Sequence, residues 1–280
     1  MKQPFEHLLL ATEHSEHDRG AESLALALAQ HGGLPLAGVM PLLSNPEFEA
    51  VAPQLAARAE AEAAEKCRSL EAQAQAQGVA LDLQVRRGPE PYAEIVAEAQ
   101  ERAADLIVIR RRGRRGLLAN LLVGEMVSKV VAHAPCSVLI APRGARMWQR
   151  RVMAGVDPQS PDAAGLARAA ALAGACGLPL HLVCVADGAG THAAAEQVLA
   201  AALLQARTLH ANVDGELRQG RVHQALIDAA RERGADLLVV ARHGGSSLAR
   251  AWIGGTAQKV IGLAECPVLV HVNPPPSLTA

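Results

Sequence analysis

The feature that most constrains this chain is an internal repeat. Residues 104–142, ADLIVIRRRGRRGLLANLLVGEMVSKVVAHAPCSVLIAP, return as residues 235–272, ADLLVVARHGGSSLARAWIGGTAQKVIGLAECPVLVHV. Asp105 answers Asp236 and Gly113 answers Gly244 at an offset of 131. Gly124, Lys129 and Cys136 answer Gly254, Lys259 and Cys266 at 130, so the first copy carries one extra residue between its paired glycines. Residues 7–42 match 151–186 in pattern: an apolar run, a polar turn, an Ala/Leu-rich amphipathic stretch and Gly-Leu-Pro-Leu follow in the same order. A chain of 280 residues is the right length for two domains, and the repeat says they are two copies of one.

Within each copy, short apolar runs alternate with helical stretches. The first half predicts strands near 7–11, 35–40, 79–85, 105–109 and 137–140, with helices near 18–31, 53–77, 89–103 and 122–133. Strands near 151–155, 179–185, 213–218, 236–240 and 267–271 are predicted in the second half, again with four helices between them. That order calls for βαβ crossovers and a parallel sheet covered on both faces. Aromatic residues are only 2% of the chain, so both cores must be packed from Ala, Leu, Val and Ile.

The predicted layout is one domain over 1–141, a linker over 142–150 (PRGARMWQR) and a second domain over 151–280, each with its own sheet rather than one continuous sheet. The apolar last strands, SVLIAP (137–142) and PVLVHV (267–272), would be aggregation-prone edges if left open. They are expected to pack on each other with pseudo-twofold symmetry, giving an intrachain pseudo-dimer, with a homodimer of the chain as a further option.

A formal net charge of −1 argues against a chain-wide commitment to nucleic acid or to a membrane surface. The N-terminus turns acidic and His-rich directly after a short apolar stretch, unlike a signal peptide, so a cytoplasmic location is expected. The five cysteines show no CxxC spacing and read as reduced and buried.

In an open parallel sheet, ligands gather beyond the carboxyl ends of the strands, where strand order reverses. The loops after the first and fourth strands of each half are therefore the candidate sites. After the first strand stand Glu13 in one copy and Asp157 in the other, each able to accept hydrogen bonds from a ribose or adenosine group, or simply an acid at a helix N-terminus. After the fourth strand the second copy reads Ala241-Arg242-His243-Gly244, then nine residues, then Gly254-Gly255-Thr256 opening a helix. Glycines and a helix N-terminus there suit a phosphate, although turns and caps recruit the same residues.

The first copy reads Arg110-Arg111-Arg112-Gly113-Arg114-Arg115, then Gly124-Glu125 at the helix start. This is either a polyanion-holding or a solvated basic loop, with Glu125 set against a phosphate. Glu13, His14, Glu16, His17 and Asp18 include metal-ligand types, but all lie in one short loop with no distant second pair, so no metal is expected. No GxSxG nucleophile elbow is present.

Together these residues resemble the universal stress protein family, with its strand-one aspartate and its Gly-x2-Gly-x9-Gly-Ser/Thr motif after strand four; GEMVSKVVAHAPCSVLI is similar to the family's final helix and strand. The resemblance covers both halves. It implies a Rossmann-like α/β fold in each, a five-stranded parallel sheet in the order 3-2-1-4-5, and pairing through the last strand. It also implies a non-enzymatic stress-response role, with ATP bound or no nucleotide at all. Carried over by position, Asp157 is the adenosine-contacting aspartate, Ala241 replaces the first motif glycine, and Gly244 and Gly254 match the second and third. Gly255 replaces the hydroxyl residue, with Thr256 one place late. In the first half Glu13 replaces the aspartate, Arg110 the first glycine and Glu125 the hydroxyl residue, while Gly113 and Gly124 remain, spaced one residue wider. At most a degenerate adenine-nucleotide site is expected, more readily in the second half. An ATP-hydrolysing or nucleotide-transferring enzyme and a ligand-free interaction scaffold are the alternatives.

Overall fold

A computed structural model describes residues 3–111, 124–188, 191–242 and 253–273. The first half runs β1 (Leu8–Ala11), α1 (Arg19–Gly32), β2 (Leu36–Leu43), α2 (Pro46–Val51), α3 (Pro53–Ala76), β3 (Leu81–Gly88), α4 (Pro91–Glu101), β4 (Leu106–Arg110), α5 (Glu125–His133) and β5 (Ser137–Ala141). Its counterpart runs β6 (Val152–Val156), α6 (Ala163–Ala175), β7 (Leu180–Ala186), α7 (His192–Leu209), β8 (Val213–Gln219), α8 (Val222–Arg233), β9 (Leu237–Ala241), α9 (Gly255–Leu263) and β10 (Val268–His271). The six-residue α2 was not expected; Ser44 and Asn45 precede its Pro46, and Asn45 Oδ1 accepts the Glu47 amide at 3.1 Å. Among the described residues no helix is long and apolar enough to cross a membrane.

Each half is a five-stranded parallel sheet, β3-β2-β1-β4-β5 and β8-β7-β6-β9-β10, with the predicted strand order. Strands β1, β4 and β7 are buried along their whole length, as strands covered on both faces must be. The expectation of two separate sheets is corrected by β5 and β10, which pair antiparallel and join the halves into one ten-stranded sheet. The expected edge pairing of the two last strands is what merges them. Helices α1, α3, α6 and α7 cover one face and α4, α5, α8 and α9 the other, over two cores that each draw residues from both halves.

Symmetry at the seam extends beyond the ladder. Arg111 donates from Nη1 to the carbonyls of Ile261 (3.3 Å) and Ala264 at the end of α9. Arg242, its repeat counterpart, donates to the carbonyls of Ala132 and Ala134, both at 3.3 Å, at the end of α5. A cation at a helix C-terminus meets both unpaired carbonyls and the negative end of the dipole, so each half caps the last helix of the other.

The segment 142–150 is packed rather than a free tether. Trp148 is buried, and Asp236 accepts the amides of Gln149, Arg150 and Arg151 at 2.7, 2.9 and 3.0 Å. Asp105 does the same for Glu6 and His7 at 2.7 and 3.0 Å, which explains why the repeat carries this aspartate in both copies. Where the segment crosses α1 the backbones touch: a Cβ on Gly20 would sit 2.1 Å from the Pro142 carbonyl oxygen.

Candidate functional site

In each half the residues directly after the first and fourth strands lie together at the carboxyl end of that half's strands, and because β5 and β10 are antiparallel these two ends face opposite ways. In the second half, β6 hands over to Asp157, whose Oδ1 accepts the Gln159 amide at 2.9 Å in an Asx turn. On the adjacent strand β9, Ala241 is the last residue, and the Arg242 carbonyl then accepts the Gly254 amide at 3.1 Å, which brings the start of α9 back beside β9. Gly254 is the extended N-cap (φ −59°, ψ 142°) and Gly255 and Thr256 form the first turn, whose amides have no acceptor within the helix.

These residues share a cavity of about 280 Å³. Asp157 and Asp187 supply its carboxylates, Val183, Val185, Val222 and Leu226 its apolar wall, and Gly254, Gly255 and Thr256 its amide-rich end. An apolar wall between a carboxylate and a helix N-terminus suits a flat ring with hydrogen-bond donors at one end and an anion at the other. Asp157, Ala241, Gly254, Gly255 and Thr256 are thus brought together as the spacing suggested. His243 and Gly244 lie outside the described residues.

The first half builds the same frame and fills it differently. Gly124 repeats the N-cap geometry (φ −57°, ψ 144°). Arg110, however, turns its guanidinium into the space between β1, β4 and α1. Its Nη2 donates to Glu13 Oε2 at 2.7 Å, its Nη1 to Ser15 Oγ at 3.0 Å, and its Nε lies 3.2 Å from Asp18 Oδ1. Arg110 and Asp18 are 5% and 1% exposed, so this is a buried ion pair, completed by the Ser15 amide and hydroxyl on Asp18 Oδ2 at 3.0 and 2.5 Å.

Beside it, Thr12 donates to Glu22 Oε1 at 2.7 Å and His14 Nδ1 sits 3.0 Å from the same oxygen. Glu125 is first in α5, but its side chain is 83% exposed and turns back along the helix to Lys129 at 3.1 Å. Arg112 and Gly113 lie outside the described residues. Glu13 and Asp18 pair with Arg110, His14 with Glu22, and Glu16 with Arg143 and His17. Among the described residues no three His, Cys, Asp or Glu side chains converge as metal ligands.

The sequence reads Arg110 as the replacement of a motif glycine in a basic loop, polyanion-holding or solvated; the structure corrects this, since its guanidinium is buried on Glu13 and Asp18. Its acidic partners lie 92 and 97 positions away, and only the β1–β4 pairing brings them within reach. Cys67, Cys136 and Cys184 are buried as expected, whereas Cys176 and Cys266 are only partly so; burial pushes the Cys136 thiol up to about 12 and those of Cys184 and Cys266 to about 11.

Comparison with known proteins gives a consistent answer. The model of the universal stress protein family matches residues 4–142 and again 149–271. A universal stress protein encoded beside a sulfhydrylase gene of Thermus aquaticus is 37% identical over 142 residues, 49% of this chain and 98% of its own length. Universal stress protein Sll1388 of Synechocystis is 43% identical over 79 residues, 28% of this chain and half of its own length. Among solved structures, a universal stress protein from Archaeoglobus fulgidus superimposes with a TM-score of 0.67 at 19% identity, covering 97% of both chains. A putative universal stress protein from Pseudomonas aeruginosa reaches 0.68 at 19% identity, covering 95% of this chain and 93% of its own. At these identities the structures speak for the fold alone.

Proposed function

The chain belongs to the universal stress protein family as a tandem of two of its domains, and from that premise we propose that it is a non-enzymatic binding module with one adenine-nucleotide site, in its second half. The observation that carries this reading is the contrast at one position: Ala241 borders an open cavity with Asp157 and the α9 N-terminus, whereas Arg110 closes on Glu13 and Asp18. The Asp157 carboxylate would accept hydrogen bonds from the adenosine part, Val183, Val185, Val222 and Leu226 would pack on the base, and the first-turn amides of α9 would meet the phosphates. Loss of those contacts in the first half follows from Arg110, which holds the Glu13 carboxylate in an ion pair.

Calorimetric titration of ATP into the wild type, Asp157→Ala and Glu125→Ser tests the reading. Binding at one site that Asp157→Ala abolishes and Glu125→Ser leaves unchanged supports it. Unchanged affinity in Asp157→Ala refutes it. No binding in the wild type would favour a ligand-free scaffold, and release of inorganic phosphate that Asp157→Ala abolishes would favour an ATP-hydrolysing enzyme.

A further inference from the structure

The second half has another cavity, on the opposite face of the sheet from the one bounded by Asp157 and α9. It lies under α6 and α7, holds about 150 Å³, and small residues such as Ala154, Gly155, Gly165 and Ala202 share its walls with Leu166 and Val198. Polar groups stand at its open end, where Asp162 and His271 are shared with a shallower hollow at the strand ends. Ala241 borders both cavities, but Asp162, His271 and the residues of α6 and α7 line this one and not the nucleotide cavity.

The repeat indicates what kind of group belongs there. Ala241 is the counterpart of Arg110, Asp162 of Asp18 and His271 of Ala141. In the first half the place beside Asp18, which stands at the N-cap position of α1, is taken by the Arg110 guanidinium. In the second half the arm is missing and the aspartate is kept. Asp162 Oδ1 accepts the Gly165 amide at 2.9 Å, and Oδ2 is held where a Cβ on residue 165 would come within 2.3 Å of it, so the glycine is what lets the carboxylate lie at the cavity mouth. Val156 and Leu166 replace Thr12 and Glu22, exchanging a polar lining for an apolar one.

Among the described residues no arginine or lysine pairs with Asp162, and its nearest basic group is His271 Nε2, 4.0 Å from Oδ2. His271 is buried, with Nε2 3.1 Å from Asn273 Oδ1 and Nδ1 3.3 Å from the Ser137 hydroxyl, a pattern that fits a neutral ring donating from Nε2. Burial also pushes its pKa down. The Arg168 guanidinium stacks on the Phe5 ring at 4.6 Å, and that of Arg242 is bound to the end of α5.

We propose that this cavity binds a small organic cation, an alkylguanidinium or alkylammonium, with its charged head on Asp162 in the place that Arg110 fills in the first half and its apolar stem between α6, α7 and the sheet. A cavity of about 150 Å³ admits a molecule the size of benzene, which is the size of a short alkyl chain carrying such a head. The charge-assisted bond to a half-buried carboxylate sets the selectivity.

The test uses the full chain with n-butylguanidinium as probe, 1-pentanol as its neutral analogue of similar length, and NMR or calorimetric titration as readout. Expected is saturable binding of the cation in the wild type, and binding at least about tenfold weaker for the alcohol and for Asp162→Asn, since hydrogen bonds to charged groups carry that much. Asparagine still caps a helix, so Asp162→Asn keeps the fold. Ala241→Arg, which copies the first half, is expected to abolish binding by filling the site. An absence of binding in the wild type, equal binding of the alcohol, or binding unchanged in either variant would overturn the proposal. An ATP titration of the wild type and of Asp162→Asn reports on the other cavity separately, since Asp162 does not line it, whereas Ala241 borders both.

Discussion

Leu139 lies opposite Leu269 in the antiparallel ladder, and each is the repeat counterpart of the other. The local twofold axis therefore runs between them, with Val138 facing Val270 and Ile140 facing Val268 on either side. Both leucines are 1% exposed and belong to the same core. Leu139→Ala and Leu269→Ala are expected to destabilise by similar amounts, about 2–5 kcal/mol each. Their double variant should depart from additivity, because the residues are direct neighbours. Urea unfolding of the three variants checks this; a large effect at one leucine and none at the other would contradict a shared axis.

The crossed arginine caps make a prediction in which cause and effect lie in different halves. Arg242→Met removes donors to Ala132 and Ala134, and should cost about 1.5–3 kcal/mol as the loss of bonds from a charged donor. Amide exchange should quicken in the last turn of α5, more than a hundred positions away in sequence. Exchange that changed only near residue 242 would show that the cap contributes nothing.

Removing Arg110 strands a charge. Arg110→Met leaves the Asp18 carboxylate, 1% exposed, without its cation, a change that typically costs about 3–5 kcal/mol. Adding Asp18→Asn should recover part of the loss by discharging the orphan. Thermal and urea denaturation of the single and double variants decide the matter, and a single variant as stable as the wild type would rule the pair out as a structural element.

Acid stability should depend on Glu216. Burial would raise its carboxyl pKa, but hydrogen bonds from Arg233 and Arg218 outweigh that and hold it at about 2, from an ordinary 4.5. A folded-state value below the unfolded one means a stabilisation fully present above about pH 4.5 and lost as pH falls toward 2. Glu216→Gln should therefore be less stable than the wild type at neutral pH, with the gap narrowing through that window. A gap independent of pH would show that the charge is not what matters.

What could be seen in advance divides along physical lines. Strand and helix positions were legible because apolar period and repeat spacing are local in sequence, strand order came only with the family resemblance, and the pairing of β5 with β10 followed from two apolar edges needing cover. Helix α2 was not, being six residues with no apolar stripe. Asp157, Gly254, Gly255 and Thr256 could be placed because a βαβ sheet brings the ends of adjacent strands together. Arg110 could not be read as an ion-pair partner until β1 and β4 were known to be neighbours. The seam arginines were invisible for a different reason: they bind backbone carbonyls, which leave no mark in a residue pattern.

The ladder between β5 and β10 has one more implication. Because the two strands belong to a single polypeptide, their association survives dilution that would separate two free subunits. A symmetric assembly of identical chains must inherit every substitution twice, in both sites at once. This chain encodes its two halves separately, and the divergence of Arg110 from Ala241 is what that independence permits: one copy holds a buried arginine against its own aspartate while the other carries alanine at the same place, with the shared seam between them undisturbed.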